Sequence, residues 1–238
     1  MKSATTDLQI RRAEERGRAE HGWLLARHSF SFADYYEPGH MGFRSLRVMN
    51  EDVIAPGRGF GTHPHRDMEI FSYVLEGALE HKDSLGNGRI VRPGQIQLMS
   101  AGCGVTHSEF NPSATESTHL LQIWIQPRAR NLPPRYHEWQ PAADQAHAPK
   151  VLVISADGRD GSAMIQQDAD IYRVLLKPGQ TATHELRAGR GAWLQVVRGA
   201  LMLNGTPLAA GDGASTEQPG RLTITATEAA EALLFDLN

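Results

Sequence analysis

Short runs in which apolar and β-branched residues alternate with polar ones recur along the chain, separated by Gly, Pro and Asn turn signals. A period of two predicts strands, because successive strand side chains point to opposite faces. A first group comprises "LRVMNEDVI" (46–54), "EIFSYVL" (69–75), "ALEHKDS" (78–84), "QIQLM" (95–99) and "HLLQIWI" (119–125). A second comprises "KVLVIS" (150–155), "IYRVLL" (171–176), "AWLQVV" (192–197), "ALMLN" (200–204), "RLTIT" (221–225) and "ALLFDL" (232–237). Between them, residues 126–149 hold five of the 13 prolines, which deny a ladder its N–H groups and predict a linker. The charged stretch 11–20 reads as a helical turn. "VLEGAL" (74–79) is echoed by "VVRGAL" (196–201), each a strand, a Gly turn and a strand, and the order around both matches. The expectation is an all-β chain built from a duplicated β-barrel.

Composition narrows the class. A chain of 238 residues can form one large β domain or two smaller ones, each with a core. A net charge of −3 supplies no positive field to draw the chain onto nucleic acid or acidic lipid. The N-terminus lacks a secretory h-region, and no apolar run approaches the ~20 residues of a membrane span, so a soluble, cytoplasmic protein is expected. Cys103 is the single cysteine, which excludes an intrachain disulfide.

The chemistry gathers in two short segments. "FGTHPHRDMEIFSYVLEG" (60–77) places His63 and His65 two apart, so that both imidazoles face one side of a strand. "SAGCGVTHSEFN" (100–111) repeats the device with His107 and Glu109. Two such pairs converging inside a small barrel make a donor set of imidazole nitrogen and carboxylate oxygen, suited to Fe(II), Mn, Ni, Cu or Zn. Four protein ligands leave open positions on an octahedral ion, which suggests catalysis. Glu69 lies four residues after His65, and strand parity aims it at the same side. Parity cannot choose between Glu69 and Glu109: one could ligate while the other orients an imidazole from behind.

These residues resemble the cupin superfamily and, within it, the pirin family. Gly57, His63, His65, Glu69 and Gly77 approximate the first cupin motif, and Gly94, Gly102, His107 and Asn111 the second. Ser100 replaces the usual proline, and two extra residues separate Gly102 from His107, a departure that is itself pirin-like. The likeness extends through "HSFSFADYY" (28–36), "LRVMNED" (46–52), "HKDSLGN" (81–87) and "LLQIWI" (120–125). It implies a bicupin: a metal-binding N-terminal cupin at 1–126, the linker at 127–149, and a C-terminal cupin at 150–238 without a metal. Carried over by position, the ligands would be His63, His65, His107 and Glu109, with Glu69 nearby but not bound. Iron(II) is the usual metal, with Ni, Co, Mn or Cu accepted in related sites.

The resemblance implies a quercetin 2,3-dioxygenase, which opens a flavonol with O₂ and releases carbon monoxide, with Glu109 accepting the substrate hydroxyl proton. The alternative it implies is a non-catalytic module whose binding of a protein partner depends on the oxidation state of iron. A monomer is expected. Sugar-phosphate isomerisation is disfavoured, because no basic cluster flanks the motifs.

The remaining candidates have plainer readings. Cys103 reads as a small packing residue. His81 and His119 read as hydrogen-bonded barrel residues, and His21, His28, His40, His137 and His147 as loop or linker residues. In the C-terminal half His184 has no H-x-H partner. "SFSFADYY" could line a flavonol pocket, but packing against the barrel is the expectation. Arg11, Arg12, Arg16 and Arg18, interleaved with Glu14, Glu15 and Glu20, read as a solvated face.

Overall fold

In the computed structural model, which describes residues 7–238, the alternating runs fold as strands. In chain order these are β1 (Gln9–Arg11), β2 (Gly17–Glu20), β3 (Leu24–His28), β4 (Leu46–Ile54), β5 (Gly59–His65) and β6 (Glu69–Glu76). β7 (Leu79–Asp83), β8 (Gly88–Val91), β9 (Ile96–Ser100), β10 (Val105–Phe110), β11 (Thr118–Ile125) and β12 (Arg135–Trp139) follow. Next come β13 (Lys150–Ser155), β14 (Ala163–Met164), β15 (Ala169–Leu176), β16 (Thr181–Leu186) and β17 (Gly191–Arg198). The last are β18 (Ala200–Leu203), β19 (Thr206–Ala209), β20 (Gly213–Thr216), β21 (Gly220–Ala226) and β22 (Ala230–Leu237). Among the described residues helix is confined to two single turns, Ala13–Glu15 and Arg159–Gly161. The stretch 11–20 therefore holds a turn, as its charges suggested, and then a short strand. The Pro-rich stretch is not only a connection: beyond its Pro133-Pro134 pair it contributes β12 to a sheet edge.

The chain forms two compact units. One contains Gly17–Pro141 and Ala156–Gln167; the other contains the segment ending at Arg16, Ala142–Ser155 and Asp168–Asn238. In the first, a seven-stranded sheet in the order β12-β9-β6-β11-β4-β3-β2 shares a core with a four-stranded sheet, β5-β10-β7-β8. Leu24, Ile54, Val74 and Leu120 of the larger sheet pack with Leu79 and Val91 of the smaller one. Apolar burial of this kind is the main driving force for closing two sheets on each other.

Rows of residues in register cross the larger sheet. Val48, Trp124, Ile70 and Met99 form one. Two residues along, the row is His28, Asn50, Gln122, Ser72 and Gln97, polar and buried throughout. Two further, it returns to Ala26 and Leu120 on either side of Asp52. Apart from Asp52, one polar stripe thus crosses an apolar wall.

In the second unit the strand order runs β1-β20-β17-β22-β15-β13 in one sheet and β16-β21-β18-β19 in the other. An aliphatic core that includes Leu194, Leu201, Leu222, Ile224 and Leu234 lies inside it. The echoed motif has one structural meaning in both units. Gly77 and Gly199 turn with φ of 75° and 70°, and a Cβ on either would press on a facing backbone, Ser117–Thr118 or Ala229–Ala230.

Candidate metal centre

The smaller sheet of the first unit delivers the imidazoles. β10 alternates strictly, with Val105, His107 and Glu109 buried and Thr106, Ser108 and Phe110 facing outward to varying degrees. Its antiparallel pairing with β5 sets His107 opposite His63 and Val105 opposite His65. The three rings gather with centroids 4.5–4.9 Å apart. Their ligand atoms form a cluster suited to a metal ion.

Hydrogen bonding fixes which nitrogen each ring presents. His63 Nδ1 faces the Gly61 carbonyl at 2.8 Å and must carry the proton, which frees Nε2. His107 Nδ1 faces His81 Nδ1 at 3.4 Å, and His81 Nε2 faces Asp83 Oδ2 at 3.2 Å. A proton on His107 Nδ1 and another on His81 Nε2 satisfy this chain as far as the Asp83 carboxylate, again leaving His107 Nε2 free. His65 Nε2 is buried with no hydrogen-bond partner. The Nε2 atoms of His63 and His107 stand 3.1 Å apart. Two nitrogens bound at right angles on one ion, each at ~2.1 Å, would be about 3 Å apart. Burial, reinforced by the neighbouring imidazoles, lowers the pKa of His65 to about 4 and of His107 to about 3. Neutral imidazoles with converging lone pairs and one orphaned nitrogen fit a transition metal.

Glu109 belongs to the same region but to an overlapping group. Its carboxylate lies with His81 and His107, while His63 and His65 cluster with His107 alone. Ser72 donates to Oε1 at 2.9 Å and Gln122 Nε2 donates to Oε2 at 2.7 Å, so the polar stripe of the larger sheet holds Glu109 from across the core. Glu69 is elsewhere. Parity aimed it beside His65, but His65 ends β5 and Glu69 begins β6, in different sheets, and the turn between them resets the alternation. The Glu69 carboxylate accepts from Ser100 Oγ at 2.6 Å and from the Gln166 backbone N–H at 3.1 Å, and burial pushes its pKa up.

In front of the imidazoles opens a cavity of about 450 Å³. Trp23, Phe32, Phe60 and Trp124 supply aromatic walls, and His63, His65, Glu109, Gln122, Asn50 and Asp52 supply the polar groups. Its size and its few polar groups on an apolar wall suit a small organic ligand. Phe32, from the aromatic run, lines the cavity in addition to packing edge-on against Trp124. His28 also reaches it, from a strand and not from a loop, bonded to Asn50 at 2.9 Å. Cys103 is exposed at a turn and packs into no core. His119 bonds Glu51 at 2.9 Å, and in the second unit His184 bonds Asp236 at 2.8 Å.

Sequence reading passed over Ser72, Gln122, Asn50 and Asp52. Their signal was a polar residue at an inward position of an apolar strand, as in "RVMNEDV" and "LLQIW".

Comparison with known proteins decides the family. A profile described as Pirin matches residues 9–125, and one described as Quercetinase C-terminal cupin domain matches residues 152–237. Quercetin 2,3-dioxygenase of Escherichia coli (strain K12) is 49% identical over 230 residues, covering 97% of this chain and 98% of that protein. The chain belongs to the pirin family. The crystal structure of YhhW from Escherichia coli superposes with a TM-score of 0.94 at 48% identity, covering 97% of each chain. A structure of the bacterial pirin YhhW in complex with nickel(II) superposes at 0.92 with 49% identity, covering 97% of this chain and 98% of that one. The two units are accordingly cupin-type domains of a bicupin.

Proposed function

We infer that this pirin is a metal-dependent dioxygenase of the quercetin 2,3-dioxygenase type, opening a flavonol with O₂ and releasing carbon monoxide. The observation that carries the reading is the clustering of the His63, His65 and His107 imidazoles beside an aromatic-walled cavity that Glu109 also lines. His63, His65, His107 and Glu109 would hold a single metal ion; iron(II) is the ion we assign, and nickel, cobalt, manganese, copper or zinc would also suit the donors. The centre belongs to the unit that contains Gly17–Pro141, and the C-terminal cupin would carry none. When bound, the ion supplies Lewis acidity and a template for a chelating substrate and O₂.

The chain's own residues do the rest. Glu109 takes the proton of the flavonol 3-hydroxyl, which raises electron density on the ring to be opened. Ser72 and Gln122 fix the carboxylate in place at the cavity wall. Trp23, Phe32, Phe60 and Trp124 stack on the flat rings and exclude water. The test is direct: iron-loaded protein with quercetin in air should consume the flavonol absorbance and evolve carbon monoxide. Failure to consume any flavonol would turn the reading toward an iron-dependent, protein-binding module. No helix among the described residues is long and apolar enough to cross a membrane, and the proposed place of action is the cytoplasm.

A further inference from the structure

Asp52 lines the cavity and has no use in the chemistry above. It is 3% exposed, and its Oδ1 is buried without a hydrogen-bond partner. The cause is its place in the sheet. Ala26 and Leu120, its neighbours in register, offer no polar side-chain atom. The polar stripe that satisfies Asn50 and Glu109 lies two residues along the strand. An unpaired buried carboxyl is costly to keep, whereas a leucine in its place would continue the apolar row. Such a group is explained if something outside the chain pairs with it when the cavity is filled.

We propose that Asp52 is a specificity-determining residue that hydrogen-bonds a phenolic hydroxyl on an outer ring of the substrate. Position supports an outer ring. Glu109 comes from β10 of the smaller sheet, whereas Asp52 comes from β4 of the larger one, two residues (about 7 Å) along the strand from the stripe whose Gln122 holds Glu109. A flavonol whose 3-hydroxyl and 4-carbonyl face the imidazoles and Glu109 has only its outer-ring hydroxyls left to offer Asp52. Neither charge state of Asp52 is required. A carboxylate accepts from a phenol, and the protonated form that burial favours can also donate. The proposal rests on the flavonol reading and adds which part of the flavonol the cavity selects.

The test compares quercetin with 3-hydroxyflavone, which keeps the chelating pair and lacks the outer hydroxyls. Binding to the metal-loaded protein under anaerobic conditions is followed through tryptophan fluorescence, since Trp23 and Trp124 line the cavity. KM and kcat are then measured in air. Wild type should prefer quercetin. Asp52→Leu should weaken quercetin binding ~10-fold or more, raise KM more than it lowers kcat, and leave 3-hydroxyflavone binding and metal content unchanged. Asp52→Asn, which still donates and accepts, should restore most of the preference. Asp52→Leu should also melt no lower than wild type, because it removes an unpaired polar group. Equal weakening of both ligands, no weakening of either, or loss of metal would overturn the proposal. If wild type binds both flavonols but turns over neither, with the preference resting on Asp52, the dioxygenase reading falls and the binding role stands. If it binds neither, both fall.

Discussion

Glu109 is held by two donors from the opposite sheet, Ser72 and Gln122, and each bond is stronger for an ionised carboxylate. Glu109→Gln keeps a carbonyl oxygen that can ligate and removes the ability to take a proton. Its flavonol turnover at saturating iron should drop ~10²-fold or more while most of the metal remains. Glu69→Gln makes the contrast. Glu69 bonds Ser100 and Gln166 and no imidazole, so its effect on turnover should stay below the ~10-fold at which changes behind a metal ligand begin. If kcat for the two variants ranks the other way, the base is misassigned. A further expectation follows from the histidines in chelator-treated protein. An unfolded imidazole titrates near 6.5, but in the fold His65 is lowered to about 4 and His107 to about 3, by burial first and by neighbouring imidazoles second. Between those values and 6.5 the unfolded chain binds more protons, so stability should rise with pH across this window and fall as pH drops through it. Thermal melts from pH 4 to 7 test the sign, and His65→Gln should flatten the slope. The three clustered histidines were legible because their spacing is itself the signal, whereas Glu109 was set apart from Glu69 only by the family resemblance. Gln122, Ser72 and Asp52 were not legible, since one polar residue in a strand announces nothing until the facing strand is known.

Strands with regular alternation were legible almost to the residue. "LRVMNEDVI" is β4 end to end, because one inward face alternating with one outward face is what a half-buried strand requires. Two element-scale features were not legible. The first is β12, whose prolines lie before the strand and leave its ladder positions free. The second is the pairing of β5 with β10, which slips between His107 and Glu109: Glu109 pairs with Phe60, so one residue of β10 faces two of β5. The slip leaves His107 facing His63 while Glu109 faces Phe60 instead of a histidine. Gly59 sits just past the slip, where a Cβ would collide with the backbone of Glu109 and Phe110. Gly59→Ala should therefore push β5 off β10 and spoil the facing of His63 and His107 without altering a ligand. Metal content after dialysis against a weak chelator should fall well below that of wild type. Full retention of metal would mean that β5 can shift without moving His63.

At the scale of the molecule, duplication was legible and the division of chemistry between the copies was partly so. The repeated Gly turn marks both units because each copy packs a neighbouring backbone against that glycine. The second unit meets His184 with Asp236, which also holds Arg190, so the imidazole on β16 is tied into an ion-pair network. One metal ion per chain is expected by elemental analysis, unchanged in His184→Ala. The membership of the N-terminal segment was illegible, because nothing in "QIRRAEER" names a partner strand far along the chain. β1 pairs with β20, and Asp212 accepts from Arg12 Nη1 at 2.7 Å and from the Ala13 N–H at 2.8 Å. Asp212 also accepts from the Ala209 N–H at 3.1 Å, so one buried carboxylate closes a turn and fastens the incoming segment. Asp212→Ala strands these donors, and hydrogen bonds to a charged group contribute about 1.5–3 kcal/mol each, so a loss of at least about 2 kcal/mol is expected. Arg12→Ala removes only the partly exposed partner and should cost less. Because the metal ligands belong to the other unit, both variants should keep one ion per chain when folded. A melt of Asp212→Ala indistinguishable from wild type would show that β1 pairing alone secures the segment. Loss of the ion from folded Asp212→Ala would show that the centre depends on the second unit.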